Sequence, residues 1–352
     1  MTSNEAMRKE YKSKNWRINV IIIGITVFAI IAMLFTLGIT QYDYLNYWDT
    51  FDVIWKHITG NPWTYKQVDY VVCELLTPRS IGTMMVGGAL AIGGATMQAV
   101  MKNPLADPYT TGISSGAGLG ATLAIVFGIS IIPGITGNMM TVTNAFLLSL
   151  IPMAAILLVA KYRKLSPSEM ILVGIGIMYF FSAATTVMML MANPLNLKGA
   201  YTWGLGNLGI LAWNQLMIVV PVVAAGSIAL VAMNRKLKII SISDRMSRSL
   251  GENPERVRFI GLLIVSLMTA AVVSFTGTIG FVGIVAPHMV RLCIGSDLKY
   301  LLPASFVAGG AMLILADAVS KVLLLPVGVI TSIAGGPIFL YILVKQRKKE
   351  YF

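Results

Sequence analysis

The sequence predicts an all-α integral membrane protein of about ten transmembrane helices, and three observations carry that prediction. Of 352 residues, 56% are hydrophobic and 12% are charged, with a mean hydropathy of +0.77, whereas soluble domains carry about 25% charge. Such an apolar surplus exceeds what one water-soluble core can hide. Apolar stretches near the roughly 20 residues needed to cross a bilayer recur along the chain. Basic side chains gather on alternate connections between them.

Residues 1–17 are polar and basic, and the apolar stretch 18–39 follows with no small-residue cleavage site, so it reads as an uncleaved first span. Further apolar runs lie at about 79–101, 108–130, 141–160, 169–191, 214–233, 259–277, 279–294, 300–320 and 327–344. The run at 279–294 is short and opens after Gly277 and Gly280, so nine or ten spans both fit. Residues 18–344 thus read as one membrane domain, with a long internal loop at 234–258 and a basic tail at 345–352.

With a cytoplasmic N-terminus, alternation leaves only Lys56, Lys66, Arg79, Lys198 and Lys321 outside, out of 27 basic residues. This is the asymmetry of the positive-inside rule, and it places both termini in the cytoplasm. Topology accounts for the net charge of +12, so nucleic acid is not an expected partner. Tyr42, Tyr44, Tyr47, Trp48, Trp55, Trp63, Tyr65 and Tyr70 crowd the first outside loop, as an interfacial aromatic belt would.

Glycines mark the second and third spans: Gly87, Gly88, Gly93 and Gly94, then Gly112, Gly116 and Gly120 at four-residue spacing. Small residues at that interval let helix backbones approach closely. Close packing alone accounts for them, and they also permit helices to slide. Between these spans Asn103-Pro104-Leu105-Ala106-Asp107-Pro108 breaks the helix, with Asp107 as N-cap and Pro108 at the first helical position. Ser166-Pro167-Ser168-Glu169 repeats that logic as a capping box. In the loop 234–258, Ser243 or Asp244 can cap a short charged helix that Gly251 ends, and Asn253-Pro254 opens the next span. That short helix fits a docking surface for a cytoplasmic partner and equally a solvated loop.

Ionisable residues within apolar segments are few: Glu74, Arg79, His288, Arg291, Asp317 and Lys321, all near span ends. This counts against a proton-coupled carrier. His288 reads as a packed histidine rather than a ligand. Cys73 and Cys293 stand apart, with no CxxC or Cys/His cluster, so neither a disulfide scaffold nor a metal site is expected. The chain has no GxxxxGK[ST], HExxH or GxSxG motif, so no enzymatic activity is expected of it.

The residues from Thr77-Pro78-Arg79 through Val86–Gly94, Gln98, Asn103–Pro108 and Gly112–Ala117 together resemble the FecCD-type permeases. These are the membrane subunits of ABC importers for siderophores, haem and vitamin B12. The resemblance continues through Trp203–Gly206, Trp213, Ser249-Leu250-Gly251, Gly277–His288, Arg291, Asp317 and Leu325–Thr331. It implies the type II ABC importer fold and a pair of permease chains in a bacterial or archaeal plasma membrane. It also implies two ATPase subunits, which would hold the ATP and Mg, and an external substrate-binding protein.

By the same resemblance Ser243, Asp244, Arg245, Arg248, Leu250 and Gly251 belong to the helix that couples to the ATPase. Asn103, Leu105, Pro167 and Ser168 match the cytoplasmic gate, and Arg79 and Lys321 match positions that dock the binding protein. Two positions depart from the family pattern: Leu76 and Leu324 stand where an arginine and a glutamate are common. An iron complex is the expected cargo and vitamin B12 the alternative; from another class, an ion-coupled secondary transporter is the rival.

Overall fold

The computed structural model describes residues 3–350 apart from 43, 61–65, 164 and 210. Trp63 and Tyr65 of the aromatic loop and Lys164 lie outside the described residues, as do the extreme ends of the two terminal segments. All regular structure in the described chain is helical, with no strand among its residues. Helix α1 (Ser3–Leu37) leads to α2 (Tyr47–Ile58) and α3 (Lys66–Tyr70). A π turn at Val71–Leu76 then joins α3 to α4 (Thr77–Val100). There follow α5 (Ile113–Phe127), α6 (Gly137–Arg163), α7 (Pro167–Leu190), α8 (Pro194–Gly204) and α9 (Trp213–Ala232). The remainder is α10 (Asn234–Ile242), α11 (Asp244–Ser249), α12 (Pro254–Thr276), α13 (Val282–Ile294), α14 (Leu298–Leu323) and α15 (Val327–Glu350).

Among the described residues seven helices are long and apolar enough to cross a membrane, and α5, α13 and Val327–Tyr341 of α15 are shorter apolar helices. Together they coincide with the ten apolar runs. Phe281, at φ 68°, separates α13 from α12 after the left-handed Gly277, which divides the run that the sequence left ambiguous. Thirteen residues rise only about 20 Å, less than the roughly 30 Å hydrocarbon layer. The irregular stretch before α13 therefore makes up part of the crossing.

Three predicted starts hold at the atomic level. Ser166 and Glu169 exchange side-chain-to-backbone hydrogen bonds at 3.3 and 2.7 Å. Asn253 accepts from the Arg256 N–H at 3.0 Å, and Asp107 accepts from the Thr110 N–H at 2.9 Å. Asp107, however, caps a 3-10 turn at Pro108–Thr111. The α-helix starts only beyond Gly112, whose φ of 82° interrupts the first turn.

Helix α4 is the centre of the bundle, buried along nearly its whole length from Val86 to Val100. Helices α9, α12, α13 and α14 all pack on it. What lets them in is the missing Cβ: a methyl on Gly87 would overlap the Gly309 carbonyl of α14, and one on Gly94 the Gly283 carbonyl of α13. On α5, Gly116 and Gly120 bring the backbone against Leu148 and Asn144 of α6 in the same way. Gly112 lies against Pro152.

Gly94→Ala therefore forces backbone apart and should cost about 1–3 kcal/mol or more. Gly118→Ala, whose new methyl meets nothing within 4 Å, should be neutral or stabilising by up to about 1 kcal/mol. Thermal midpoints of the two purified variants check the contrast.

Candidate coupling, gate and docking sites

The residues singled out in the sequence fall at the two ends of the bundle. At one end the short helix α11 packs between α10 and α12. Its first residue, Asp244, accepts from Lys102 Nζ at 2.6 Å and from Arg258 Nη2 at 3.1 and 3.2 Å. Arg258 is itself buried and donates from Nε to the Val100 carbonyl at 3.3 Å. One carboxylate thus ties the short helix to the end of α4, to the connection that follows it and to α12. Burial raises the Asp244 pKa, but the hydrogen bonds and charges of Lys102 and Arg258 outweigh it and hold this carboxyl below the ordinary range.

Ser243 occupies the position before α11 in extended conformation without a side-chain cap; its carbonyl accepts from Ser247 Oγ at 2.8 Å. Gly251, at φ 79°, ends the helix. Ser247 is buried, which turns Arg245, Met246, Arg248 and Leu250 outward, and Arg248 is paired with Glu255. The loop expected at 234–258 is mostly helix, because α10 continues from α9 after Met233 and α12 begins at Pro254.

Beside this end runs the connection 101–112. Lys102 has φ 49°, and Asn103 Oδ1 accepts from the Leu105 N–H at 2.9 Å, which leaves Leu105 exposed. Across from it Pro167 and Ser168 open α7, half-buried and exposed respectively. The connection reaches α7 where Gly174 lies under the Thr110 carbonyl.

Deeper in, irregular segments meet. Ile279 N donates to Tyr109 Oη at 3.1 Å, Thr278 Oγ1 to the Gly204 carbonyl at 2.5 Å, and Asn207 N to the Thr276 carbonyl at 2.7 Å. Tyr109, Ser114, Thr278 and Ser332 line a cleft of about 400 Å³ there. Backbone outside helices survives at such depth only where it is buried or lines a wet cavity. Helix α8, which supplies Gly204, has no counterpart among the predicted spans, since its Asn193-Pro194 start opens only eleven residues. His288 packs as expected, fully buried, with Nδ1 3.1 Å from the Ile284 carbonyl and its ring edge-on to Phe339.

At the opposite end Arg79 and Lys321 come together, but they turn onto Asp317 and not outward. Arg79 donates from Nη2 and Nε to Asp317 at 2.7 to 3.2 Å, and Lys321 Nζ stands 3.5 Å from the same carboxylate. The side chains of Arg79, Asp317 and Lys321 are 15%, 4% and 2% exposed. Nothing in the sequence alone paired these residues, which are 238 positions apart for Arg79 and Asp317. The two departures also find places: Leu76 packs with Leu45, Val53, Val71 and Val72 in a small apolar cluster under α2. Leu324 ends α14 in left-handed conformation, exposed, at φ 55°.

Spans broken inside the bundle, a cleft at the breaks and a charged helix at one end define a membrane-embedded translocation subunit. The chain belongs to the FecCD transport family of ABC importer permeases: the family model matches residues 25–345. It is 38% identical, over 80% of its length and 84% of the relative's, to a protein of Methanocaldococcus jannaschii named as an ABC transporter permease. A haemin transport permease of Yersinia pestis is 32% identical (80% and 85% covered), and a vitamin B12 import permease of Citrobacter koseri 31% (83% and 88%). The fold matches a solved metal-chelate type ABC transporter in an inward-facing conformation, with a TM-score of 0.81 and 24% identity, covering 93% of this chain and 99% of that one.

Removing Asp317 leaves two cations facing one another in a dry site. Asp317→Asn should destabilise by about 3–5 kcal/mol, and adding Lys321→Met should recover part of the loss, both read from thermal midpoints. Burial pushes the Asp107 carboxyl, in the connection between α4 and α5, up to about 6 against the Thr110 hydrogen bond. A carboxyl raised on folding favours the folded state most below its ordinary pKa, and that advantage fades as pH rises toward 6. Asp107→Asn keeps the cap acceptor and should flatten stability between about pH 4 and 6.

Proposed function

We propose that this chain is the permease of an ATP-driven importer for an iron complex, a siderophore or haem. In this reading two permease chains enclose one pathway in a bacterial or archaeal plasma membrane, and both termini and α11 face the cytoplasm. Two ATPase subunits bind there, and an external binding protein delivers cargo at the end that carries Arg79 and Lys321. ATP hydrolysis takes place in the ATPase subunits, so this chain moves cargo without catalysing a reaction.

The observation that carries the reading is the Asp244 tie. An exposed surface of Arg245, Met246 and Leu250 is what a partner subunit would grip. Force on it passes through Asp244 to Lys102, beside Asn103 and Leu105, and through Arg258 to α12. Movement of α11 thereby reaches the proposed gate with no long chain of intermediates. The pathway cleft, lined by a few hydroxyls among glycines and the apolar Leu205, Val329 and Ile333, offers weak and general contacts suited to a bulky cargo selected elsewhere. Docking at Arg79 and Lys321 would require an incoming carboxylate to share or displace Asp317.

Cobalamin is the second reading, supported by the vitamin B12 relative. Iron is placed first because the haemin relative and a Helicobacter pylori relative named for iron chelatin transport, 34% identical over 79% of this chain, share that cargo class.

Vesicles holding this chain with its ATPase and binding protein should take up a ferric siderophore or haem only with ATP. Uptake of cobalamin alone would move the assignment to the second reading, and uptake driven by an ion gradient without ATPase would overturn the importer. Replacing the exposed Arg245 and Leu250 together by Ala should leave expression and thermal midpoint unchanged while separating ATP hydrolysis from uptake.

A further inference from the structure

The sequence gives no sign of a metal site, because it has no CxxC motif and no cluster of cysteines with histidines. The fold nevertheless brings one of each together. His57 closes the last turn of α2, Asp69 lies in α3, and Cys73 sits one turn further on in the π turn that leads into α4. His57 Nε2 lies 2.5 Å from Asp69 Oδ1. The His nitrogen, the carboxylate oxygen and Cys73 Sγ all lie within 4.8 Å of one another. Cys73 is a free thiol, half-buried, while His57 remains open to solvent.

We propose that His57, Asp69 and Cys73 form a binding site for a borderline divalent transition-metal ion of the zinc class. The donor set is one imidazole, one carboxylate and one thiolate, which suits Zn²⁺ and its neighbours and not Mg²⁺ or Ca²⁺, which take oxygen. Bond lengths near 2.0 Å to nitrogen or oxygen and 2.3 Å to sulfur place donor atoms roughly 3.3–3.6 Å apart. The present separations, from 2.5 Å up to at most 4.8 Å, bracket that spacing. The ion's two positive charges balance the carboxylate and the thiolate, with the thiol proton released on binding. Three protein donors leave a fourth position open to water at the exposed face.

The supporting backbone is held in place. The Cys73 carbonyl accepts from Trp213 Nε1 at 2.9 Å, and Thr77 Oγ1 donates across the π turn to the Val72 carbonyl at 2.8 Å. At the end of α2 the Thr59 and Gly60 N–H groups both donate to the His57 carbonyl. Single π turns within helices are often found at functional positions, and this one sets the register of Cys73 relative to Asp69. A bound ion would fasten α2 to the root of α4.

The test uses the full chain in lipid nanodiscs, with Co²⁺ alone as spectroscopic probe and Zn²⁺ alone as competitor. Co²⁺ should bind saturably at one ion per chain with a thiolate-to-metal charge-transfer band, which Zn²⁺ abolishes. Cys73→Ser should remove the band, and His57→Gln and Asp69→Asn should each weaken binding by more than the roughly 10- to 100-fold expected for an outer partner. Cys293→Ser, which leaves Cys73 as the one remaining thiol, should bind normally, and Zn²⁺ should protect it from alkylation and raise its thermal midpoint. A missing thiolate band, unchanged Co²⁺ affinity in Cys73→Ser, or alkylation indifferent to Zn²⁺ would each overturn the site.

Discussion

The rest of the bundle depends on how closely four helices approach α4. In hydrocarbon there is no hydrophobic drive between helices, so association rests on packing and on polar contacts between them. Gly87 and Gly94 supply the packing by letting α14 and α13 rest backbone on backbone. Arg79 with Asp317 supplies a polar tie at one end of the helix, and Arg291 with Gln98, at 2.7 Å, supplies one near the other. A helix fixed at both ends and in the middle is a rigid post. The connection 101–112 and the break at 277–281 are then the places where the chain departs from regular helix beside it.

That division of labour explains why the charged groups are sited as they are. The Lys102–Asp244–Arg258 tie is partly exposed and links the short helix α11 to α12 and to the connection after α4. The Arg79–Asp317–Lys321 cluster is buried and links α4 to α14, which pack closely along their length. The first suits transmission, the second suits holding. Leu76 continues the second pattern, since it adds apolar packing under α2 and no further charge.

Hydropathy and caps made the ten spans legible, because a bilayer tolerates little besides long apolar helices and Ser166, Asn253 and Asp107 are chemically explicit starts. Helices α8 and α10 were not legible in the same way. Both are short, α10 is charged with Arg235, Lys236 and Lys238, and neither has the length of a span. At the candidate sites, residue types singled out positions at the two ends of the bundle but not the side chains they pair with. Asp244 could be named as a cap and as part of the coupling helix, yet its ties to Lys102 and Arg258 depend on a positive φ at Lys102 and on the path of α12. The meeting of His57 with Cys73 likewise depends on how α2 folds back over the π turn, which no local pattern encodes.

The single carboxylate between Arg79 and Lys321 has one more consequence. Coulomb attraction between charges a few ångströms apart is many times stronger in a dry interior than in water. The clamp is therefore strong only while water stays out, and the surplus positive charge it encloses favours wetting as soon as a path opens. Its strength falls with hydration, so whatever seals this end of the bundle against water also tightens the join between α4 and α14.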